Sequence, residues 1–272
     1  MPVRIKKYSG EFEEFSEEKL ECSLVRAGAQ EGDAKAIVQK VARRISEGME
    51  TRVIYRMAMR ELRRASFAAA ARYDLKFGLM RLGPAGYAFE KYVAHVLKHH
   101  GYEVKLNQVI RGRCVEHEVD VAASKGDERI LVECKHHEKP WVQCRIQTVL
   151  YVKARLDDLS QVFTKAMLVT NTKFSQQAIE YGSCAGVDLL GWRYPDQGSL
   201  EWLIDTKKLW PVSILTMADP RIIGLCIEAG LLLLRDVQAL SVEELRVRLH
   251  LSRQKALRMK REVEEILGGE AS

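Results

Sequence analysis

Hydrophobic and polar positions change their period along the chain, and the changes divide it into three stretches. Residues 3–8 alternate as a short strand does, and Ser9-Gly10 turns the chain. Ser16, with Lys19 three residues on, opens a helix that lines Leu20, Leu24 and Ala27 along one face and ends at Gly28. Asp33 is expected to cap a second helix, with Ala36, Ile37, Val41 and Ile45 inward and a stop near Gly48. Thr51 caps a third through Ile54, Ala58 and Leu62, and the alanine-rich residues 65–82 form a fourth. Gly83-Pro84 breaks the pattern, so the first domain spans residues 1–83.

Residues 87–99 repeat apolar side chains at helical spacing (Phe89, Val93, Val96, Leu97), and Gly101 closes the helix. Strand-like runs follow over 102–109, 115–122 and 129–134. A helix over 141–159, a buried strand over 166–170, a helix over 175–183, a strand over 187–190 and a short helix over 199–205 complete the stretch. Antiparallel strands giving way to alternating helix and strand predict an α/β core with a mixed central sheet over 84–211. Beyond Pro211 the pattern is helical throughout, giving a small all-α domain over 212–272. The expected fold class is multidomain α+β.

A length of 272 residues fits two domains, or three small ones. With 47% hydrophobic and 29% charged residues the chain is neither disordered nor collagen-like. The longest apolar run, over 222–234, is interrupted by Glu228 and Gly230 and falls short of the roughly 18 residues a membrane span requires. The N-terminus runs from basic straight into acidic residues without a signal-peptide core, so a cytoplasmic location away from membranes is expected.

The formal charge of +6 is unevenly spread. Residues 34–81 hold 12 basic and 4 acidic side chains, and residues 245–261 hold seven basic and no acidic ones. Each run reads either as a solvated helix face or as an anion-binding one. Six cysteines without a CxxC pair read as reduced thiols. Cys114-x-x-His117 and Cys134-x-His136 do not have the spacing of a standard zinc finger.

The sharpest chemistry lies in the middle. Asp120 ends one strand-like run, and Val132-Glu133-Cys134-Lys135 ends another. Period-2 geometry sets Glu133 and Lys135 on one face, with Val132 and Cys134 on the other. Carboxylates and an ammonium at adjacent strand ends suit Mg²⁺ or Mn²⁺, held by Asp120, Glu133 and the carbonyl of Cys134, with Lys135 orienting the attacking water. A lone Glu-x-Lys is equally an ordinary salt bridge at a strand edge, so the motif decides nothing by itself.

It is not alone. "Gly86-Tyr-Ala-Phe-Glu90 … His-Gly101-Tyr-Glu-Val104 … Glu118-Val-Asp120 … Val132-Glu-Cys-Lys135" resembles the catalytic domain of Mrr-type nucleases in the PD-(D/E)xK superfamily. "Leu168-Val-Thr-Asn-Thr-Lys-Phe-Ser175 … Ala178" is similar to that family's downstream strand and helix, and Gln147-Thr-Val-Leu-Tyr151 to the Gln-x-x-x-Tyr element of RecB-like members. The resemblance spans about residues 82–205. It implies a restriction-endonuclease-like core and metal-dependent phosphodiester hydrolysis. Asp120 and Glu133 are then metal ligands and Lys135 the catalytic lysine. Glu90 on the first helix joins the metal site directly or through water, and Gln147 contacts metal-bound water or phosphate.

The first domain resembles the ATP-cone, a regulatory nucleotide-binding module. The likeness rests on "Ile5-Lys-Lys7-Tyr-Ser-Gly10-Glu-Phe-Glu13-Glu-Phe15-Ser-Glu-Glu-Lys19-Leu20", "Thr51-x-x-Ile54" and "Ala71-Arg-Tyr73". It implies ATP or dATP as an effector, with Lys7 and Lys19 on the triphosphate. Where that family usually has Lys-Arg-Asp-Gly, this chain has Lys7-Tyr8-Ser9-Gly10. The tail looks like a helix-hairpin-helix domain, with Ser241 and Ser252 as N-caps and Arg253, Lys255, Arg258 and Lys260 near DNA phosphates. Together these imply a Mg²⁺-dependent DNA endonuclease tuned by a nucleotide, for which a homodimer would be convenient in cutting both strands. The alternative is a nucleotide-responsive DNA-binding or repressor-like protein without cleavage.

Overall fold

The computed structural model describes residues 3–83 and 87–268. Gly83 lies within this range, whereas Pro84 and the Gly86 that opens the first nuclease motif lie outside it. Two compact units form, Met1–Gly78 with Trp210–Ser272, and Leu79–Leu209.

The first unit begins with a hairpin of β1 (Arg4–Lys6) and β2 (Phe12–Glu14), which tucks Ile5 into the core. In α1 (Glu17–Arg26) the Ser16 hydroxyl accepts the Lys19 N–H at 3.1 Å, as the capping pattern predicts. The next helix, α2 (Glu31–Ala42), is capped at Gln30 rather than Asp33. Asp33 instead sits in its first turn, where a carboxylate favours the positive end of the helix, and Ala36 faces out. The following helix, α3 (Thr51–Ala65), is capped at Glu50, because the Thr51 hydroxyl donates to the Lys6 carbonyl at 2.8 Å. The single helix expected over 65–82 is two, α4 (Phe67–Tyr73) and α5 (Leu75–Met80), separated at Asp74. Leu20, Leu24, Ile37, Val41, Ile54, Ala58 and Leu62 are buried together, as their spacing predicts.

The second unit opens with α6 (Tyr87–His99), followed by β3 (Glu103–Arg111), β4 (Glu116–Lys125) and β5 (Glu128–Lys135). Then come β6 (Gln143–Cys144), α7 (Ile146–Asp158), β7 (Lys165–Thr170), β8 (Lys173–Phe174), α8 (Gln176–Ala185), β9 (Val187–Leu190) and α9 (Leu200–Thr206). The main sheet has the order β3-β4-β5-β7-β9. Its first two pairings are antiparallel and the last two parallel, so it is the mixed sheet the pattern implies. The parallel pairs require crossovers, and α7 and α8 supply them. Ile130, Leu131 and Val132 of β5, with Ala166, Leu168 and Val169 of β7, are buried, as central strands covered on both faces must be. The predicted helix over 141–159 starts only at Ile146, because Gln143–Cys144 pairs in parallel with Lys173–Phe174.

Asp158, the last residue of α7, fixes the β3–β4 connection. Its carboxylate accepts the backbone N–H groups of Cys114 (2.7 Å) and Val115 (3.3 Å) and lies 2.7 Å from His117 Nε2. A Cβ on Gly112 would come within 2.2 Å of that carboxylate, so the turn requires glycine. His117 is thus a structural partner of Asp158.

Beyond Pro211 the chain is helical, with α10 (Pro220–Glu228), α11 (Leu234–Ala239), α12 (Val242–Arg248) and α13 (Arg253–Gly268). Ser241 and Glu244 form a capping box on α12, and the Ser252 hydroxyl accepts the Lys255 N–H at 3.3 Å. α13 packs on α4, and the Ser213 hydroxyl donates to the Gly78 carbonyl at 2.7 Å. The tail and the first helices therefore share one unit. Buried Glu262 ties it internally, accepting from the Thr216 N–H at 2.8 Å and hydroxyl at 2.6 Å and from Arg258 Nε at 3.0 Å.

Leu168 is fully buried in β7, whereas Val109 on the edge strand β3 is 69% exposed. Leu168→Ala should cost about 2–5 kcal/mol in urea unfolding, and Val109→Ala less than about 0.5 kcal/mol. Equal losses would contradict this assignment of core and edge.

Candidate active site

The β4–β5 ladder ends at Val121 opposite Val132. One step further, where the register would set Asp120 against Glu133, no backbone pairing continues. Residues facing each other in an antiparallel register share a face of the sheet, so the two carboxylates converge at this opening. Asp120 Oδ2 accepts the Cys134 N–H at 2.8 Å, in place of the missing ladder bond. Glu133, whose side chain is 17% exposed, pairs with the guanidinium of Arg155 on α7. The same guanidinium donates to the Glu118 carbonyl of β4.

Lys135 ends β5 with its side chain exposed, while its carbonyl accepts the Thr170 hydroxyl at 2.8 Å. Its positive charge is felt at Asp120 and Glu133, where it favours the ionised form. Glu90 enters from the first turn of α6 and is felt electrostatically alongside Asp120 and Glu118.

These carboxylates resist ionising together. Burial, and then repulsion from Asp120, pushes Glu133 up to about 7. Burial, and then repulsion from Asp120 and Glu118, does the same to Glu90, also to about 7. Asp120 is raised too, by burial first, against the Cys134 N–H bond that favours its charge. Half-buried acids that cannot all be charged make a site that favours an added cation.

Among the described residues no three His, Cys, Asp or Glu side chains gather into a complete metal-ligand group. The donor set fits instead a hard divalent ion that keeps several waters and takes only one or two carboxylates. His136 is not part of it. Its Nε2 lies 3.0 Å from the Leu79 carbonyl, its ring is 5.4 Å from that of Phe89, and burial lowers its pKa. His137 is held through its backbone by the buried Asn171, with both hydrogen bonds at 2.8 Å.

Residues 84–192 match the Mrr_cat family model, described as a restriction endonuclease. An uncharacterised protein of Archaeoglobus fulgidus is 38% identical over 177 residues, covering 65% of this chain and 100% of that protein. The crystal structure of a protein of unknown function, AF1548, is similar with a TM-score of 0.61 at 38% identity, covering 67% of this chain and 98% of that one. The chain belongs to the family of this archaeal protein. Its second unit carries a restriction-endonuclease-like domain, which is a nuclease domain with DNA as its implied substrate. Among the described residues no helix is long and apolar enough to cross a membrane.

The remaining expected site residues are distributed around this nuclease domain or in the first unit. Gln147 is exposed on the first turn of α7 and makes no side-chain hydrogen bond among the described residues. It precedes Tyr151 and Arg155 at successive four-residue steps, so the three share a stripe of α7, and the Arg155 guanidinium lies 5.3 Å from the Tyr151 ring centre. Lys7 and Lys19 both face Glu13, at 3.0 and 3.8 Å. Lys19 also lines a cavity of about 230 Å³ with Tyr8, Phe15, Tyr55, Tyr73 and Phe77.

In the tail, Arg253 and Lys255 are exposed on the first turn of α13 and form no ion pair among the described residues. Lys255 lines a cavity of about 130 Å³ with Arg221 and His250. Arg258 is occupied by Glu262, and Lys260 Nζ donates to the Gln238 carbonyl at 2.7 Å. These last two side chains hold the tail together.

Arg155 is the site neighbour that motif reading passes over, whereas Glu118 stands within a quoted motif and contributes its carbonyl. The signal for Arg155 is its phase, since it follows Val149 and Val152 on the buried side of α7.

In the metal-free chain, Glu90 retains a proton that the unfolded chain releases near the ordinary 4.5. Its contribution to stability is complete below about 4.5 and is lost as pH rises through about 7. Thermal melts in EDTA should therefore show a decline in this range that Glu90→Gln makes shallower. An unchanged slope in Glu90→Gln would contradict the elevated pKa of Glu90.

Proposed function

We propose that the chain is a divalent-metal-dependent DNA endonuclease whose activity responds to ATP or dATP on its first unit. The observation that carries this reading is the pair Asp120 and Glu133, converging where the β4–β5 ladder opens, with Lys135 at the same strand end. Asp120 and Glu133 would hold Mg²⁺ or Mn²⁺, together with the carbonyl of Cys134. When bound, such an ion would supply polarisation of the scissile phosphate and a lowered pKa for the attacking water.

The protein's own groups do the rest. The Cys134 N–H keeps Asp120 aimed at the opening. The exposed ammonium of Lys135 orients water and offsets charge that develops on the phosphate. Glu90 accepts a proton or a hydrogen bond from water, a role suited to an acid poised near neutrality. Gln147, exposed on the same helix stripe as Arg155, would contact metal-bound water or phosphate. Arg253 and Lys255 serve as backbone contacts for DNA, while Arg258 and Lys260 contribute less because each is already engaged.

The effector reading is supported by the aromatic cavity beside Lys19. A triphosphate there would have to draw Lys7 and Lys19 away from Glu13, so binding should be weak. Calorimetry should give ATP or dATP affinity that falls several-fold in Lys19→Ala. Equal affinity in wild type and variant would remove Lys19 from the site.

Purified protein should nick or linearise plasmid DNA with Mg²⁺ or Mn²⁺ and stop in EDTA. Asp120→Ala and Lys135→Ala should each lower the rate at least about a hundredfold while the protein remains folded. Tight DNA binding without cleavage under every metal and nucleotide condition would favour the non-cleaving, repressor-like alternative.

A further inference from the structure

We propose that Arg155 is the resident counter-cation of the carboxylate site: it secures Glu133 while the chain is free of metal and gives up Glu133 when a divalent ion binds. The inference rests on the metal-dependent reading above and assigns a positioning role to a residue outside the expected catalytic set.

Arg155 is 5% exposed. Its neighbours on the buried side of α7 are Val149 and Val152, both in the hydrophobic core. A guanidinium in such a layer is costly unless its donors and its charge are matched. One terminal nitrogen meets the Glu133 carboxylate and the other the Glu118 carbonyl, while the buried Nε has no hydrogen-bond partner among the described residues. An orphaned donor is tolerated because the fork is committed to those two contacts.

The positions of the two partners give the pairing its meaning. Glu133 is on β5 and Glu118 on β4, and both lie beyond Val121–Val132, where backbone pairing between these strands ends. The fork therefore joins two strands at the point where they have stopped joining each other. On the same opening Asp120 takes the Cys134 N–H, so one side-chain link runs from each strand. A lysine could balance the charge but could not span both partners, because it lacks the planar fork.

Without Arg155, Asp120 and Glu133 would face each other with only the exposed ammonium of Lys135 nearby. With a divalent ion between them, a second full positive charge on Glu133 is redundant and repelled by the ion. Arg155 consequently stabilises the metal-free chain and competes for Glu133 when metal is offered. It keeps the site shaped without metal and raises the metal concentration needed for loading.

The test compares full-length wild type, Arg155→Met and Arg155→Lys by thermal denaturation in EDTA and in saturating Mn²⁺, and by calorimetric Mn²⁺ titration. Arg155→Met should melt several degrees below wild type in EDTA, and Mn²⁺ should close most of that gap. Mn²⁺ should also bind Arg155→Met several-fold more tightly than wild type, with Arg155→Lys intermediate in both measurements. If Arg155→Met fails to fold, Arg155→Lys against wild type carries the same comparison. A gap that Mn²⁺ leaves unchanged, or Mn²⁺ affinity that is equal or weaker in the variants, overturns the role of Arg155 alone. No Mn²⁺ binding by wild type or either variant overturns the metal reading and this inference together.

Discussion

Two acidic side chains meet where β4 and β5 cease to pair, and the features of the nuclease domain can be understood as ways of tolerating them. Continuing the ladder one more step would place Asp120 and Glu133 opposite each other on the same face, where like charges repel. The backbone opens there instead. The Cys134 N–H and the Arg155 guanidinium occupy the gap, one stabilising each carboxylate. Even so, burial first, and then repulsion from Asp120, pushes Glu90 and Glu133 up to about 7. A purely structural site could relieve this by replacing one acid with an amide. Keeping the acids, with a lysine at the strand end, makes sense where a cation is to be held.

Much of the surrounding frame exists to position that opening. The parallel pairing of β5 with β7 requires α7 as a crossover, and α7 delivers Arg155 to Glu133. Three residues on, at the end of the same helix, Asp158 reaches the β3–β4 turn and fixes the hairpin carrying Asp120. Gly112 permits the close approach. One helix thus positions both strands of the site, from the turn of one and from the carboxylate of the other.

The sheet and the central motif were legible in the sequence because period-2 spacing fixes which side chains share a face. That is how Glu133 and Lys135 are set apart from Val132 and Cys134. The core faces of α1 and α3 were legible through their helical spacing. Capping was less so. Asp33 has the chemistry of a cap yet sits within a first turn, and Thr51 bonds to Lys6 instead, since a hydroxyl serves whichever partner tertiary structure brings near. Charge roles were the least legible. Arg253 and Arg258 are alike in sequence, but only the second has a buried glutamate one turn away that folding turns into a partner. Arg155 looks like any helix arginine until its phase is counted against Val149 and Val152. The modest net charge concealed a further division, between exposed basic side chains such as Arg253 and Lys255 and those already neutralised, such as Lys7.

The carboxylate opening as a metal site has a signature independent of catalysis. Acids that hold protons near neutrality must release them when a cation takes their place. Calorimetric titration of wild type with Mn²⁺, repeated near pH 7 in buffers of different ionisation enthalpy, counts those protons directly. Net proton release near neutrality, fading as the titration is moved to higher pH and reduced in Asp120→Asn, is the expected result. Mn²⁺ binding without proton release near pH 7, or no binding at all, would contradict the assignment of Asp120 and Glu133 as the ligands of a divalent ion.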